Sequence, residues 1–208
     1  VYASQFPEHF EDAAGYGWTV GERSFSWPAL IAAKDREIDR LEGLYRKGLE
    51  TNGAEILETR AEIAGDHRIR LSSSGQEVTA EKILVAVGGH PNPHSEMPGS
   101  ELCISSNEAF HLEELPKSIA ITGGGYIAVE FANIFAGLGV ETTLIYRGPE
   151  ILRGFDMDMR VNLREAMEKK GIQVICRDTI VEVAQAADGR LKAQTHNGHV
   201  FNVDKVMM

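Results

Sequence analysis

The chain has 208 residues, a formal net charge of −10, 43% hydrophobic residues and two cysteines. This hydrophobic content is enough for a buried core, whereas the negative charge argues against a nucleic-acid partner, which requires a basic surface. No apolar run approaches the roughly 20 residues of a membrane span, and no signal peptide is recognisable. We therefore expect a globular protein that binds neither nucleic acid nor membrane, and the two isolated cysteines favour a cytoplasmic location.

The first half of the sequence predicts one long helix followed by short strands. Ser26 can cap a helix over residues 26–50, in which apolar residues recur at helical spacing, and Asn52-Gly53 ends it. Strand-like segments follow at residues 54–59, 67–73, 76–80 and 82–89. The stretch "GGHPNPHSEMPGS" holds three prolines and three glycines, which indicates a connection between two parts of the chain.

From Lys117 onward the pattern alternates between strand and helix. The predicted order is strand 119–122, helix 126–138, strand 140–146, a helix from Asp156 to Lys170 and strand 172–176. The remaining residues predict a β-meander with turns at Asp188-Gly189 and Asn197-Gly198. This order is typical of an α/β fold in which a Rossmann-like parallel sheet is accompanied by a meander.

A glycine motif lies between the first of these strands and its helix. Gly123, Gly125 and Ala128 fit G-x-G-x-x-G/A in the strand–turn–helix context that this motif requires. Gly123 permits the tight turn, Gly125 lets the backbone approach a pyrophosphate, and Ala128 permits close packing of helix on strand. Because a helix N-terminus offers free N–H groups to an anion, the motif predicts a dinucleotide site.

The end of the second strand indicates which dinucleotide is bound. An NAD site places an acidic residue there, about 20 residues past the glycines, whereas this strand ends at Tyr146 and is followed by Arg147 and Arg153. Arginines form charge-assisted bidentate contacts with phosphate oxygens, which suits the 2′-phosphate of NADP. Glu150 lies between the two arginines and could pair with one of them, which counts against this prediction.

Several segments, in register over almost the whole chain, resemble glutathione reductases, which are flavin-dependent pyridine nucleotide–disulfide oxidoreductases. These segments are "FSWPALI", "RLEGLY", "ILVAVGGHPNP", "ISSNEAFHLEELP", "GGGYIAVEFANIF" and "LGVETTLIYRGPEILRGFD". The resemblance implies NADPH-dependent reduction of glutathione disulfide through FAD and a redox-active cysteine pair, in a homodimer. It also implies that residues 1–90 are part of an FAD-binding domain and residues 91–208 an NADPH-binding domain truncated at its C-terminal end.

The resemblance implies roles for individual residues around the glycine motif. In the family, the tyrosine matching Tyr126 covers the flavin and moves aside for nicotinamide, and the glutamate matching Glu130 pairs with a lysine beside the flavin. Arg147 and Arg153 match the pair that recognises the 2′-phosphate. The residues implied to hold the pyrophosphate and nicotinamide are Gly123, Gly124, Gly125, Tyr126, Ile127, Ala128 and Glu130.

Other matches concern FAD and the disulfide substrate. The family segment that closes over FAD corresponds to Ala86, Val87 and Gly88, with valine in place of the usual threonine, so only a backbone contact is implied there. Tyr45 matches a tyrosine that contacts glutathione disulfide, although Glu37 stands where some relatives carry another aromatic residue. Ala61 and Ser106 match positions near the adenosine half of FAD.

The resemblance also implies that the chain is an internal fragment. The FAD glycine motif and the redox cysteine pair would precede Val1, so no catalytic residue is expected within the span and the fragment alone is expected to be inactive. Cys103 and Cys176 match neither redox cysteine. His90 and His94 flank prolines that prevent a helix, so no metal site is expected. The alternatives are a related flavin disulfide reductase with another substrate, or a stand-alone NADPH-binding module without redox chemistry.

Overall fold

A computed structural model describes all 208 residues. The chain forms two compact units, of which the smaller is Ala33–Pro91 and the larger combines Val1–Ala32 with Asn92–Met208. None of the helices combines the length and the apolar character that a membrane crossing requires. The predicted division into cofactor-binding domains at residue 90 stays a prediction.

The long predicted helix is present as α2, Trp27–Thr51. Its N-terminus is capped as expected, since the Ser26 hydroxyl accepts a hydrogen bond of 3.3 Å from the N–H of Ala29. Within α2 only Trp27 is buried, and its indole N–H donates to the carbonyl of Leu112 at 2.7 Å. The antiparallel strands of the smaller unit are β1 (Ala61–Gly65), β2 (Arg68–Leu71) and β3 (Glu77–Thr79), in that order.

Two predicted strands are wrong. Residues 54–59 form no strand, and β1 begins only at Ala61. Residues 82–89 also form no strand, and Leu84 and Val87 in this segment are 89% and 87% exposed. An apolar run becomes a strand only when a neighbouring strand accepts and donates its backbone hydrogen bonds, and no strand pairs with this segment.

The larger unit is built around a parallel sheet of four strands. Their spatial order is β10 (Lys205–Met207), β4 (Ser118–Thr122), β5 (Glu141–Tyr146) and β6 (Gln173–Cys176). The predicted βαβαβ order and the meander are both confirmed. The crossover helices are α4 (Tyr126–Gly137) and α5 (Met157–Lys169), and the meander strands are β7 (Ile180–Gln185), β8 (Leu191–Thr195) and β9 (Val200–Val203).

The sheet carries a different core on each face. Ile119 and Ile121 of β4 point into a cluster with residues of α4 and α5, whereas Ala120 between them joins residues of the meander. This alternation follows from the two-residue period of a strand. Since both faces are covered, the carboxyl edge of β4, β5 and β6 is where an open α/β sheet binds ligands.

Two short helices lie outside the predicted elements. They are α1 (Tyr2–Asp12) and α3 (Ser106–Ala109). Among the aromatic residues, Trp27, Phe131 and Phe135 are buried. Trp18 is 72% exposed, because the residues that follow the helical turn Ala13–Tyr16 form no element that could cover it.

Candidate dinucleotide site

The glycine turn begins where β4 ends. Gly123 has a φ of 141°, and its N–H donates to the carbonyl of Ile145 at 2.9 Å. A Cβ atom on Gly123 would lie 3.1 Å from the Cβ of Ala128. Glycine suits this position, because another residue would be strained at this φ and its Cβ would press on Ala128. The small distance places the first turn of α4 directly against the end of β4.

Gly125 is the N-cap of α4 and leaves the helix N-terminus open. It has an extended conformation and supplies no side-chain cap, so the first N–H groups of the helix have no side-chain acceptor. No atom outside its own chain neighbours lies within 4 Å of the position that a Cβ of Gly125 would take. Because free N–H groups and the helix dipole meet an empty space here, an anionic group fits this position.

The ring of Tyr146 lies between the glycine turn and the loop after β5. A Cβ atom on Gly124 would lie 2.5 Å from this ring, and a Cβ atom on Gly148 would meet it at the same distance. The N–H of Leu152 donates to the carbonyl of Gly124 at 2.6 Å. The glycine turn and the loop after β5 are therefore in direct contact.

The two predicted phosphate-binding arginines lie on this loop, and both are exposed. Neither Arg147 nor Arg153 forms an ion pair or a side-chain hydrogen bond anywhere in the chain. Glu150 between them is 8% exposed and binds Arg164, with an Nε–Oε2 distance of 3.0 Å. The expected competition from Glu150 is absent, since its carboxylate is committed to α5.

Residues at the start of α4 differ in their surroundings. Tyr126 is 65% and Ile127 is 43% exposed. Glu130, one turn further along, is exposed and borders an open cavity of about 830 Å³ that α1 lines on the other side. Tyr126 and Glu130 are thus free to contact a ligand, and no packing role in the core explains either of them.

The remaining predicted residues lie elsewhere. Ser106, in the larger unit, is the half-buried first residue of α3 and follows Ser105, the N-cap of that helix. In the smaller unit Tyr45 is 74% exposed on α2, and Gly88 adopts a φ of 73°. The smaller unit also contains three exposed residues of the prediction, Ala61, Ala86 and Val87.

Neither cysteine has the environment of a reactive thiol. Burial, with a smaller contribution from Glu101, raises the pKa of Cys103 to about 11. Burial likewise raises the pKa of Cys176, with Glu150 adding to the effect. Because the thiolate is the nucleophile, both residues are held in the unreactive form at neutral pH.

Several residues at this site were not found from the sequence. The hydroxyl of Thr122, the last residue of β4, is buried without a hydrogen-bond partner. Arg160 is buried and donates to backbone carbonyls of the loop after β5. The one sequence signal for Arg160 is its position, because a cation in the first turn of a helix opposes the helix dipole and needs a specific reason to be there.

Comparison with protein families gives a match over nearly the entire chain. Residues 3–208 match the profile of a family described as pyridine nucleotide-disulphide oxidoreductase. The α/β fold with its parallel sheet agrees with this family, and the resemblance seen in the sequence is confirmed.

Curated relatives give the same family, and a solved structure has the same fold. A glutathione reductase from Nostoc sp. is 45% identical over 91% of this chain and 40% of its own length. A glutathione reductase from Burkholderia cepacia is 44% identical over 100% of this chain and 45% of its own length. The chain therefore spans less than half the length of these relatives. The HOCl-induced flavoprotein disulfide reductase RclA from Escherichia coli has the same fold, with a TM-score of 0.78 and 22% identity over 88% of this chain and 42% of that chain.

Proposed function

This chain belongs to the pyridine nucleotide-disulphide oxidoreductase family, and from that premise we propose that it is part of an NADPH-dependent glutathione-disulfide reductase. Two relatives that are 44–45% identical to it bear the name glutathione reductase. The observation that carries the choice of NADPH is the pair of unpartnered arginines, Arg147 and Arg153, beside an open helix N-terminus. A phosphate dianion would give these cations the partners that the chain itself does not supply.

The glycine turn would hold the pyrophosphate. The N–H groups at the start of α4 would donate to its oxygens, and Gly125 would let the backbone come close because it carries no side chain. Arg147 and Arg153 would bind the 2′-phosphate at the end of β5. The hydrogen bond from the N–H of Leu152 to the carbonyl of Gly124 joins the arginine loop to the glycine turn, which supports the binding of one molecule by both.

Tyr126 and Glu130 would act at the nicotinamide end. Tyr126 is exposed at the first position of α4, where its ring can cover or uncover a bound aromatic group. Glu130 follows one turn later, and its exposed carboxylate can accept a hydrogen bond or an ion pair from a neighbouring group. Both residues project from the same end of one helix, which keeps them in a fixed relation to the pyrophosphate site.

The FAD and substrate assignments belong to the same proposal. When bound, FAD would supply the electron transfer between nicotinamide and a disulfide. Ala86, Val87 and Gly88 would contact it through their backbone, in a segment that is exposed and has no strand partner. Ala61 and Ser106 would lie near its adenosine half, and Tyr45 would contact glutathione disulfide.

The domain organisation, the oligomeric state and the location are proposed from the resemblance to glutathione reductases. We infer an FAD-binding domain that includes residues 1–90 and an NADPH-binding domain from residue 91 onward. A homodimer in the cytoplasm, with no nucleic-acid or membrane partner, completes the proposal. The acidic composition of the chain supports the exclusion of nucleic acid, since a polyanion is repelled by a net charge of −10.

The test is steady-state turnover by the full-length protein. Oxidation of NADPH is followed with glutathione disulfide, with lipoamide and without a disulfide, and each assay is repeated with NADH. We expect turnover with NADPH and glutathione disulfide that exceeds every other combination by tenfold or more. Turnover with another disulfide alone would make the protein a related reductase. Binding of NADPH without any disulfide turnover would make it a binding module.

A further inference from the structure

The loop that carries Arg147 and Arg153 has no regular secondary structure, but hydrogen bonds hold it in place at several positions. It connects β5 to α5 across residues 147–156 and contains no helix or strand. Leu152 within it has a φ of 51°, a conformation that costs a non-glycine residue about 1 kcal/mol or more. The loop keeps this conformation because surrounding groups hold it there.

Arg160 of α5 binds the backbone of this loop. This residue is 9% exposed, and its guanidinium donates to the carbonyl of Ile151 through Nε at 2.6 Å and to the carbonyl of Glu150 through Nη2 at 2.8 Å. No carboxylate lies within 4 Å of it. The planar guanidinium of an arginine holds its donors in a fixed geometry, which suits two successive carbonyls. The buried charge of Arg160 is thus satisfied by the loop backbone alone.

Glu150 and Arg164 form a second attachment. One carboxylate oxygen of Glu150 accepts from the N–H of Ile151 at 3.0 Å, and the other accepts from Nε of Arg164 at 3.0 Å. Arg164 also donates to Glu168, on the solvent side, at 2.8 Å. The hydrogen bonds that Arg164 donates, first to Glu150 and then to Glu168, raise the pKa of Arg164. The inner pair ties the middle of the loop to α5.

We propose that Arg160 and the Glu150–Arg164 pair are positioning residues for coenzyme selectivity, which hold Arg147 and Arg153 where a 2′-phosphate binds. This inference rests on the proposed NADPH site. The two exposed arginines are six residues apart in a loop without regular structure. The groups that bind Glu150 and Ile151 therefore set the distance between them. A loop that is already ordered loses less entropy when the phosphate binds.

The inference predicts that loss of Arg160 weakens binding mainly of ligands that carry a 2′-phosphate. Without Arg160 the loop samples other conformations, and a ligand with a 2′-phosphate must order it again. A ligand without that phosphate uses the glycine turn, whose own glycine–alanine contact is untouched. We expect Arg160→Met to weaken binding of the first kind of ligand about tenfold and of the second kind less than threefold.

The test measures two dissociation constants on the full-length protein by calorimetry. The probes are adenosine 2′,5′-bisphosphate and adenosine 5′-monophosphate, which differ only in the 2′-phosphate. Arg160→Met removes the two hydrogen bonds to the loop. Glu168→Gln is the control because it removes the charge only from the outer partner of Arg164, which does not contact the loop. We define the ratio as the Kd of adenosine 5′-monophosphate divided by the Kd of adenosine 2′,5′-bisphosphate. We expect this ratio to fall threefold to tenfold in Arg160→Met and to stay within twofold in Glu168→Gln.

A second variant guards against a folding defect. Glu150→Gln removes the charge and one of the two acceptor oxygens with little change in shape, so the side chain can no longer accept from both Ile151 and Arg164. We expect it to lower the same ratio at least threefold. If Arg160→Met does not fold, the Kd ratio measured in Glu150→Gln tests the inference instead. A ratio within twofold of the wild-type value in each variant that folds would overturn the inference.

A mutant cycle separates positioning from general stability. Arg160→Met is repeated in a background that carries Arg147→Ala and Arg153→Ala. If Arg160 acts through these arginines, it has no further effect on the Kd ratio there, whereas an equal effect in both backgrounds would refute the inference. A wild-type protein with equal affinity for the two probes would refute the proposed NADPH site itself, and a preference that Arg160→Met leaves intact would refute only the positioning role.

Discussion

The ring of Tyr146 covers Gly124 so closely that a methyl group on Gly124 would lie 2.5 Å from the ring carbons. Tyr146 is the last residue of β5, and Gly124 lies in the turn after β4. The contact joins the carboxyl ends of two neighbouring parallel strands, which pair in register up to Thr122 and Ile145. Gly124 is thus required for packing, although the dinucleotide motif leaves that position open.

We therefore expect Gly124→Ala to destabilise the protein. The added methyl group must displace the ring or the turn, and overpacking of this kind costs about 1–3 kcal/mol. Thermal unfolding of the full-length protein should show a Tm lowered by several degrees. The companion change Tyr146→Val should restore part of the loss, since it removes the ring. No recovery in the double variant would show that the ring is not the obstacle.

Gly125→Ala should lower the affinity for NADPH more than it lowers thermal stability. Its Cβ would enter open space, so Tm should change less than in Gly124→Ala, with only the modest cost of alanine at an N-cap. Binding of NADPH should weaken tenfold or more, because the methyl group occupies the space proposed for the pyrophosphate. Titration of NADPH into both variants compares the two losses, and unchanged affinity in Gly125→Ala would place the pyrophosphate elsewhere.

Loss of both exposed arginines should change the choice of coenzyme. We expect Arg147→Ala combined with Arg153→Ala to raise KM for NADPH by tenfold to a hundredfold and to leave KM for NADH within threefold. Neither side chain has a partner in the chain, so stability should not change. Steady-state kinetics with both coenzymes measure the effect. An equal rise for NADPH and NADH would mean that these arginines do not bind the 2′-phosphate.

The features that the sequence predicted correctly are those that depend on neighbouring residues. The strand, glycine turn and helix at residues 118–137 are each specified within a few positions by apolar period and by glycine. Features that depend on distant partners were wrong or undetected. Residues 82–89 have the composition of a strand, but a strand also needs a paired neighbour.

The environment of Glu150 shows the same distinction. Its neighbours in sequence include both exposed arginines, which made an ion pair with either of them plausible. The actual partner, Arg164, is 14 positions away on α5. Only the path of the chain brings it within reach, because the crossover helix returns beneath the loop. Arg160 was undetected for the same reason, since its acceptors are backbone carbonyls that carry no sequence signal.

The chemistry of Cys103 is open to a direct test. With a pKa of about 11, about one Cys103 thiol in a thousand is ionised at pH 8, so alkylation by iodoacetamide should be slow and should accelerate up to pH 11. Cys103→Ser should retain the disulfide reductase activity of the full-length protein within twofold. Rapid alkylation of this residue at pH 7, or loss of activity in the serine variant, would give Cys103 a redox role.

Asp178 should make a pH-dependent contribution to stability. Its side chain is fully buried, and Oδ1 accepts from the N–H groups of Thr179 at 2.8 Å and Asn197 at 3.1 Å. Burial raises the pKa of Asp178, but the Thr195 hydroxyl and these N–H groups outweigh it, so the pKa lies below the ordinary value of 3.8. A lowered folded-state pKa means that the carboxylate stabilises the fold above pH 3.8 and that this contribution is lost as the pH falls through the folded-state value.

Asp178→Asn should accordingly lower the free energy of unfolding by about 1–3 kcal/mol at pH 7. The difference from wild type should stay constant down to about pH 5 and narrow below pH 4, as the wild-type carboxylate becomes protonated. Urea unfolding across this range measures it. Asp188→Asn is the matched control at the neighbouring hairpin, where the exposed carboxylate bonds Arg190 and surface pairs contribute little. A difference that persists unchanged at pH 3 would mean that the amide loses packing rather than charge.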